Sequence, residues 1–168
     1  MKISLLLTAF TLFAVSACSS RTYEATAILS ENVTVTYSVR SMLGFHSDWT
    51  RQVRITNDGE EIQQELFEDT GWWRGSHLYR HASGIYVIHE GQVGCFGFTV
   101  EPLSFNVLAR ISCEKREGIP QDADGASQYY ADLVYLGAFI ETPNSTDGSP
   151  ISFLSADERP EAELPDIL

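Results

Sequence analysis

The stretch RQVRITNDGEEIQQEL, residues 51–66, decides the fold of this chain. Apolar and polar residues alternate with a period of two on both sides of the tripeptide 57–59, which is typical of half-buried strands joined by a tight turn. The Asp-Gly pair favours a type I′ turn, and this turn sets Ile55 opposite Ile62. In this register one face of the hairpin is apolar: Val53, Ile55, Ile62 and Leu66. We therefore predict an antiparallel hairpin with one buried face.

Two further segments show the same alternation. Residues 33–39 carry valines and a tyrosine at every second position, and β-branched and aromatic residues favour strands. Residues 78–89 form a second predicted hairpin with its turn at residues 83–84. This turn pairs Leu78 with His89 and sets them on the face opposite His77.

A third hairpin is predicted from residues 95–100 and 107–113. Proline at position 102 ends the first of these strands, because proline cannot donate to a strand ladder. A turn centred on Ser104 would set Cys95 directly opposite Cys113.

The C-terminal part of the chain contains one strong apolar segment and an acidic tail. Residues 131–140 fit a strand, although some of their apolar positions also fit helical spacing. The preceding segment, 114–127, is predicted to be a loop because of its glycines and proline. Residues 141–168 hold seven acids, one base and four of the six prolines, so we expect a largely extended tail. Within it, residues 151–154 could add one short strand.

These segments predict an all-β chain, a single antiparallel meander of about eight or nine strands. Such a meander closes into a small up-and-down barrel or divides into a β-sandwich, and we favour the barrel. The expected divisions are a signal segment at 1–17, a short tether at 18–22, the β domain at 23–140 and the acidic tail at 141–168.

Composition excludes two classes of protein. The 168 residues carry 11 basic and 23 acidic side chains, a formal charge of −12. Binding to a nucleic acid depends on Lys and Arg that neutralise phosphates, so this balance argues against it. The 43% of hydrophobic residues excludes a chain that is disordered throughout.

The N-terminal segment has the order of features of a secretory signal. Lys2 precedes an apolar run at positions 3–14, which is too short to span a bilayer. The run is followed by Val15-Ser16-Ala17-Cys18, which resembles a bacterial lipobox. The resemblance is confined to positions 1–18, and the alternatives are an ordinary signal peptide cut after Ala17 or an uncut anchor. We recognise no family for the rest of the chain.

The resemblance implies that Cys18 receives a diacylglycerol and becomes the first residue of the mature protein, usually with a further acyl group. Two or more acyl chains anchor a protein stably. Cleavage removes Lys2 and no acid, so the mature chain runs from position 18 to 168 and its charge becomes −13. Ser19 resembles the outer-membrane class of lipoproteins, so we expect a lipid-anchored protein that faces the periplasm.

The two remaining cysteines, Cys95 and Cys113, are predicted to form a disulfide, because an exported compartment is oxidising. A metal pair is the alternative, but no further cysteine or histidine stands at ligand spacing. His77 and His81 share one face of a strand and are weak metal candidates. A zinc site needs three or four ligands, so we expect surface or hairpin-face histidines, no metal and no cofactor.

Two groups of residues are candidates for partner binding. Six acids fall within residues 58–69 without a base, and Glu60 and Glu61 are the centre of this group. We interpret them as a solvated face, or as a docking surface for a basic partner. The second group is aromatic and lies around a loop flanked by glycines: Trp49, Trp72, Trp73 and Arg74. These tryptophans fit either a plug of the core or a binding anchor.

The sequence contains none of the common nucleophile, phosphate-loop or zinc-protease motifs, so it indicates a binding protein rather than an enzyme. Our first hypothesis is a lipid-anchored envelope protein whose β domain binds a protein or a glycan. The alternatives are a carrier of a small apolar ligand in a calycin-like barrel and an inhibitor or immunity-type protein for a cell-wall enzyme.

Overall fold

The computed structural model describes residues 21–41, 49–66, 75–105, 113–118, 125–142 and 150–166. The described residues form ten β-strands and one short 3-10 turn at Gly91–Val93. The strands are β1 (Thr22–Ile28), β2 (Val33–Ser41), β3 (Trp49–Asn57), β4 (Glu60–Glu65), β5 (Ser76–His81), β6 (Tyr86–His89), β7 (Cys95–Val100), β8 (Leu103–Ser104), β9 (Leu133–Glu141) and β10 (Ile151–Ser155). The prediction of an all-β antiparallel chain is confirmed.

The first four strands form one sheet in the order β1-β2-β3-β4. Its β3–β4 hairpin has the predicted register, with Ile55 opposite Ile62. Asp58 has a φ of 48° and Gly59 a φ of 85°. A type I′ turn requires positive φ at both of these positions. The local sequence is sufficient here because a two-residue turn of this type by itself fixes the register of the hairpin.

The other six strands form a second sheet in the order β10-β9-β5-β6-β7-β8. Here β9 pairs with β5, so the chain is not the simple meander that we predicted. The sheets pack face to face around a core that takes residues from both, including Tyr37, Ile55, Leu78 and Phe139. They do not close into a barrel. The preference for a barrel is therefore wrong, and the two-sheet alternative describes the fold.

The six-stranded sheet is covered on both faces, and its strand β9 contains an irregularity that makes this possible. Leu78 pairs with Gly137, but the next residue, Tyr79, pairs with Tyr135, so Leu136 is an additional residue in β9. A β-bulge of this kind changes the alternation of side chains along a strand. A Cβ atom on Gly137 would collide with the carbonyl oxygen of Leu154, so the bulge requires glycine.

The outer face of the six-stranded sheet carries a second cluster of buried side chains. It contains Tyr79, Val87, Cys113, Tyr130, Leu133, Tyr135, Ala138 and Ile140. Residues 113–118, 125–130 and 156–166 lie beside this cluster, and Leu164 is buried. The chain after Glu141 thus contributes β10, at the place of the predicted short strand, and further buried residues.

Two predicted registers are wrong. In the β5–β6 hairpin His77, and not Leu78, pairs with His89. The turn contains three residues, with Gly84 at a φ of 84°, where we had assumed two. In the β7–β8 hairpin Val100 pairs with Leu103, so the turn lies at residues 101–102 and not at Ser104. The predicted return strand at 107–113 lies almost wholly outside the described residues.

In the part of the chain that the structure describes, no helix has the length and apolarity needed to cross a membrane.

Candidate functional site

The predicted disulfide partners lie together. Cys95 begins β7 and Cys113 lies in the segment 113–118, with their Cα atoms 6.5 Å apart and their sulfur atoms at bonding distance. Cys95 pairs with His89 on β6, and Cys113 lies outside the strands. The bond instead fastens an irregular segment to the sheet.

The predicted acidic surface is exposed. Glu60 and Glu61 lie at the start of β4, an edge strand, and both are exposed, as are Asp58 and Glu65. Arg54 on the neighbouring strand lies 3.5 Å from Glu61 and 3.4 Å from Glu24 on β1. These exposed pairs stabilise the fold little, since water screens them.

Most of the predicted aromatic group lies outside the described residues. This holds for Trp72, Trp73 and Arg74, and also for the lipidation residue Cys18. The backbone of Trp49 begins β3. Whether these residues form one group, as the sequence suggests, therefore stays a prediction.

The two histidines singled out as weak metal candidates have different surroundings. His77 is 0% exposed and lies on a face of the β5–β6 hairpin, so the hairpin-face alternative, and not the surface one, describes this residue. Its cross-strand neighbour is His89, also buried, while His81 lies at the β5–β6 turn and contacts Ser83. Among the described residues no group of three or more His, Cys, Asp or Glu side chains could hold a metal ion.

A polar network that we did not predict lies between the two sheets. We call it the core network, and it consists of Arg51, Glu90, Tyr37 and Ser76. Arg51 Nη1 lies 3.2 Å from Glu90 Oε1, and both side chains are fully buried. The same carboxylate oxygen accepts hydrogen bonds from Ser76 Oγ at 2.6 Å and from Tyr37 OH at 2.9 Å. Charges buried in this way are tolerated because each has a partner of opposite charge, and the Glu90 carboxylate also accepts hydrogen bonds.

The core network is structural in character. Burial, and then the Glu90 carboxylate, raise the pKa of Tyr37 well above its usual value, which keeps its hydroxyl a donor. Ser76 points into the core network, whereas its neighbour His77 belongs to the outer face with Tyr79. Adjacency in sequence thus does not make a serine–histidine pair here.

A second polar network lies on the outer face of the six-stranded sheet. We call it the strap cluster, after the C-terminal strap, residues 156–166. Glu161 of the strap accepts hydrogen bonds through Oε1 from Tyr79 OH at 2.9 Å and from Ser127 Oγ at 2.7 Å. Its Oε2 accepts a hydrogen bond from the backbone N–H of Gln128 at 2.6 Å. Ser127 Oγ in turn accepts the backbone N–H of Tyr130 at 2.9 Å, so the serine is held in place by its own loop.

Three more side chains complete the strap cluster: His77, Tyr130 and Tyr135. The Nδ1 atom of His77 lies 3.3 Å from Tyr79 OH, and the rings of Tyr130 and Tyr135 both lie 5.5 Å from the ring of Tyr79. Within the described residues, His77 Nε2 and the hydroxyls of Tyr130 and Tyr135 are buried without a hydrogen-bond partner. Such atoms are rare in native structures, and each calls for an explanation.

Burial dominates the electrostatics of the strap cluster. It lowers the pKa of His77 to about 4, and the positive charges of Arg159 and His89 add to this decrease. Burial raises the pKa of Tyr135 to about 12, with Arg159 opposing the rise and the Glu161 carboxylate adding to it. For Tyr79, burial and then Glu161 raise the pKa far above its usual value. At neutral pH these side chains are therefore neutral hydroxyls and a neutral imidazole.

An open cavity of about 730 Å³ lies beside the strap. Its walls are formed by Cys113, Glu114, Lys115, Arg116, Glu117, Tyr129, Glu163 and Asp166. Lys115 Nζ lies 3.0 Å from Glu163 and 3.4 Å from Asp166, so it joins the strap to the disulfide-linked segment. The His89 ring connects this wall to the sheet, because its Nε2 lies 3.1 Å from the carbonyl oxygen of Cys113.

The strap cluster can bind a carboxylate, and the described geometry offers no activated nucleophile. Ser127 Oγ contacts a carboxylate and not an imidazole, so it lacks the base that a nucleophilic serine needs. Sequence reasoning missed both networks. The burial of Arg51 could have been predicted, because residues 51, 53 and 55 alternate along one strand and Val53 and Ile55 lie on its apolar face. Glu161 carries no local signal, because no alternation surrounds it.

Comparison with protein-family models, with curated proteins and with solved structures finds no match to this chain.

Proposed function

We propose that this chain is an exported protein of the bacterial envelope, anchored by lipid on Cys18, whose two-sheet domain binds a basic protein or a glycan on its surface. The lipobox-like sequence supports the anchor. The bonded pair Cys95–Cys113 supports an oxidising compartment, in which disulfides persist.

The packing of the two sheets supports binding on the surface rather than in the interior. The space between the sheets is filled by side chains such as Tyr37, Ile55, Phe98 and Phe139, all 0% exposed. A calycin-like carrier needs a closed barrel with a cavity, and these sheets do not close. We therefore do not propose that this protein carries a small apolar ligand between its sheets.

The exposed acids of the β3–β4 hairpin are the observation that carries the proposal for a basic partner. Asp58, Glu60, Glu61 and Glu65 all face solvent on a chain that has 23 acids against 11 bases. Complementary charge accelerates association and selects partners of opposite sign. The same surface supports the narrower candidate, an inhibitor of a basic cell-wall enzyme of the lysozyme type.

The anchor is tested by replacing Cys18 with Ala and fractionating cells. We expect the variant to leave the membrane fraction, since the acidic domain has no attraction of its own for anionic lipids. Retention of the Cys18→Ala chain in the membrane fraction would contradict the lipid anchor. Inner and outer membranes are separated by density in the same experiment.

Binding is tested by titrating the mature chain with a basic muramidase of the lysozyme class and, separately, with soluble peptidoglycan fragments. We expect one of them to bind with an affinity that falls as salt is added. The double variant Glu60→Lys, Glu61→Lys should weaken binding of a basic enzyme by about tenfold through charge repulsion. The matched control is Glu141→Lys, an exposed acid at the end of β9 in the other sheet.

Two results would overturn this proposal. One is the absence of binding to both probes at low salt. The other is a loss of binding free energy in Glu141→Lys that is half of the loss in the double hairpin variant. The control changes the charge by half as much, so this result would show that net charge matters and the hairpin does not. A Trp73→Ala variant, measured in parallel, tests whether the predicted aromatic loop contributes to the contact.

A further inference from the structure

The carboxylate of Glu161 is held in the way that a protein holds an anionic ligand. Its three donors come from Tyr79 on β5 and from the loop residues Ser127 and Gln128, at distances of 2.9 Å, 2.7 Å and 2.6 Å. None of the three belongs to the strap. Hydrogen bonds to a carboxylate are among the stronger ones in proteins, particularly where water is excluded.

We propose that Tyr79, Ser127 and the Gln128 amide form a carboxylate-binding site, which the chain's own Glu161 fills in this structure and which a carboxylate of an external ligand occupies when the strap is displaced. This inference goes beyond the proposed function, because it concerns the opposite sheet from the acidic hairpin. It stands or falls independently of the muramidase and peptidoglycan titrations.

The buried polar atoms without partners are the second observation. His77 Nε2 and the hydroxyls of Tyr130 and Tyr135 have no hydrogen-bond partner among the described residues, although His77, Tyr130 and Tyr135 are 0%, 1% and 5% exposed. The rings of both tyrosines lie 5.5 Å from the ring of Tyr79, whose hydroxyl donates to Glu161. The Glu161 carboxylate thus leaves three buried polar atoms of the site without a hydrogen bond, and a larger ligand could bond to them. The ligand class that fits is therefore a carboxylate that carries additional hydroxyl or amide groups.

The attachment of the strap permits exchange. One backbone hydrogen bond of the strap, from the Ala156 N–H to the carbonyl oxygen of Leu136, continues the register of the β9–β10 pair. Its other described backbone hydrogen bonds run from residues 158 and 159 to Ser155 and are those of a turn. The strap is otherwise held by the buried Leu164, by Pro165 beside Gly91, and by the exposed ion pairs of Lys115. Opening it would leave every strand pair of the sheet intact. Segments with few ladder contacts are the ones that open locally.

The test is rescue of a vacated site. In the mature chain we replace Glu161 with Ala and measure the melting temperature with increasing acetate or propionate. Chloride at equal ionic strength and the uncharged amides, acetamide and propionamide, are the reference solutes. Loss of the carboxylate should lower the melting temperature by about 6 °C or more, because three buried donors lose their acceptor. Saturating carboxylate should restore about half of that loss.

The matched control is Glu163→Ala, an exposed acid of the same strap. It should melt close to the parent chain, and acetate should not shift it beyond the effect of chloride. If the Glu161→Ala chain is unfolded at room temperature, the same comparison is made by refolding it in acetate and in acetamide, with circular dichroism as the measurement.

A second arm identifies the source of the carboxylate. The Glu161→Ala chain is titrated with N-acetylmuramic acid and with N-acetylalanine, each against its methyl ester, and binding is followed by the NMR shift of the Gln128 amide. Tighter binding of one acid assigns the site to a sugar or to an amino-acid carboxylate. Equal effects of acid and ester, or rescue by chloride or acetamide as effective as rescue by acetate, would overturn the proposal.

Discussion

The core network and the strap cluster lie on opposite faces of the same six-stranded sheet, and each surrounds one buried glutamate. Glu90 follows directly after β6, and its partners lie on β2, β3 and β5. Glu161 belongs to the strap, and of its three donors only Tyr79 lies on a strand. Burial is similar, since Glu90 is 4% and Glu161 is 9% exposed. The difference lies in how the backbone of each glutamate is held.

Burial alone therefore does not decide whether a polar side chain can leave its partners without unfolding of the whole domain. Removing Glu90 from its partners requires the two sheets to separate, which is global unfolding. Removing Glu161 requires only the strap to open. We therefore assign a structural role to the core network and an exchangeable one to the strap cluster, and four predictions test the distinction.

The largest expected effect is in the core network. Glu90→Gln leaves the buried Arg51 guanidinium without its counter-charge and should lower the free energy of unfolding by about 3–5 kcal/mol. Urea denaturation followed by tryptophan fluorescence measures this. The double variant Arg51→Met, Glu90→Met removes both charges and should recover most of the loss. A loss in Glu90→Gln below about 1 kcal/mol, the size of an ordinary hydrogen bond, would show that the pair is not needed.

The disulfide holds the segment beside the strap cluster and should have the next largest effect. Replacing both Cys95 and Cys113 with Ala should lower the free energy of unfolding by about 3 kcal/mol, because the unfolded chain gains the entropy of an open loop. Hydrogen exchange should increase first at residues 113–118 and not in β3. Equal acceleration in both would indicate that the bond stabilises the fold as a whole and not this segment.

Acid should weaken the strap cluster through His77. Its folded pKa is lowered to about 4 from 6.5, so the unfolded state takes up the proton first. The stability that comes from the neutral imidazole is complete above pH 6.5 and is lost as the pH falls towards 4. Between pH 7 and pH 5 the loss should be about 2 kcal/mol. The titratable and charged groups that face this imidazole are Tyr79, Tyr135, His89 and Arg159.

The measurement is the unfolding free energy of the parent chain and of His77→Phe at several pH values between 7 and 5. The variant should show a shallower slope, with a remaining part from His89, whose pKa burial also lowers. His81→Asn, at the turn of the same hairpin, is the matched control, because His81 lies outside the strap cluster. Identical slopes in the parent and in His77→Phe would contradict the assignment.

The smallest effect is expected at Lys115. Its Nζ pairs with Glu163 and Asp166, whose side chains are 62% and 80% exposed. Lys115→Ala should therefore lower the unfolding free energy by only about 0.5 kcal/mol, and added salt should remove the difference. A loss that persists at high salt would show that the strap is held more firmly than we propose.

Local sequence predicted the parts of this fold that local physics controls. The β3–β4 register follows from Asp58 and Gly59, which accept positive φ values in a two-residue turn. The β5–β6 register was wrong by one residue because Gly84 allows a three-residue turn as readily as a shorter one. That single step brought His77 and His89 together and removed the predicted pairing of His89 with Leu78, as any slip in register does. The acids of the β3–β4 hairpin are exposed as predicted, since alternation along a half-buried strand by itself indicates which side chains face solvent.

The sequence alone predicted the class of the fold, the β3–β4 hairpin, the pairing of Cys95 with Cys113 and the acidic character of the surface. These depend on alternation, turn residues and charge, which are properties of short segments. Only the tertiary structure decided that two sheets form in place of a barrel, that β9 joins β5, and that Glu161 enters the strap cluster. Such pairings join residues that are far apart in the chain, and their stability depends on which surfaces meet. No short segment contains that information.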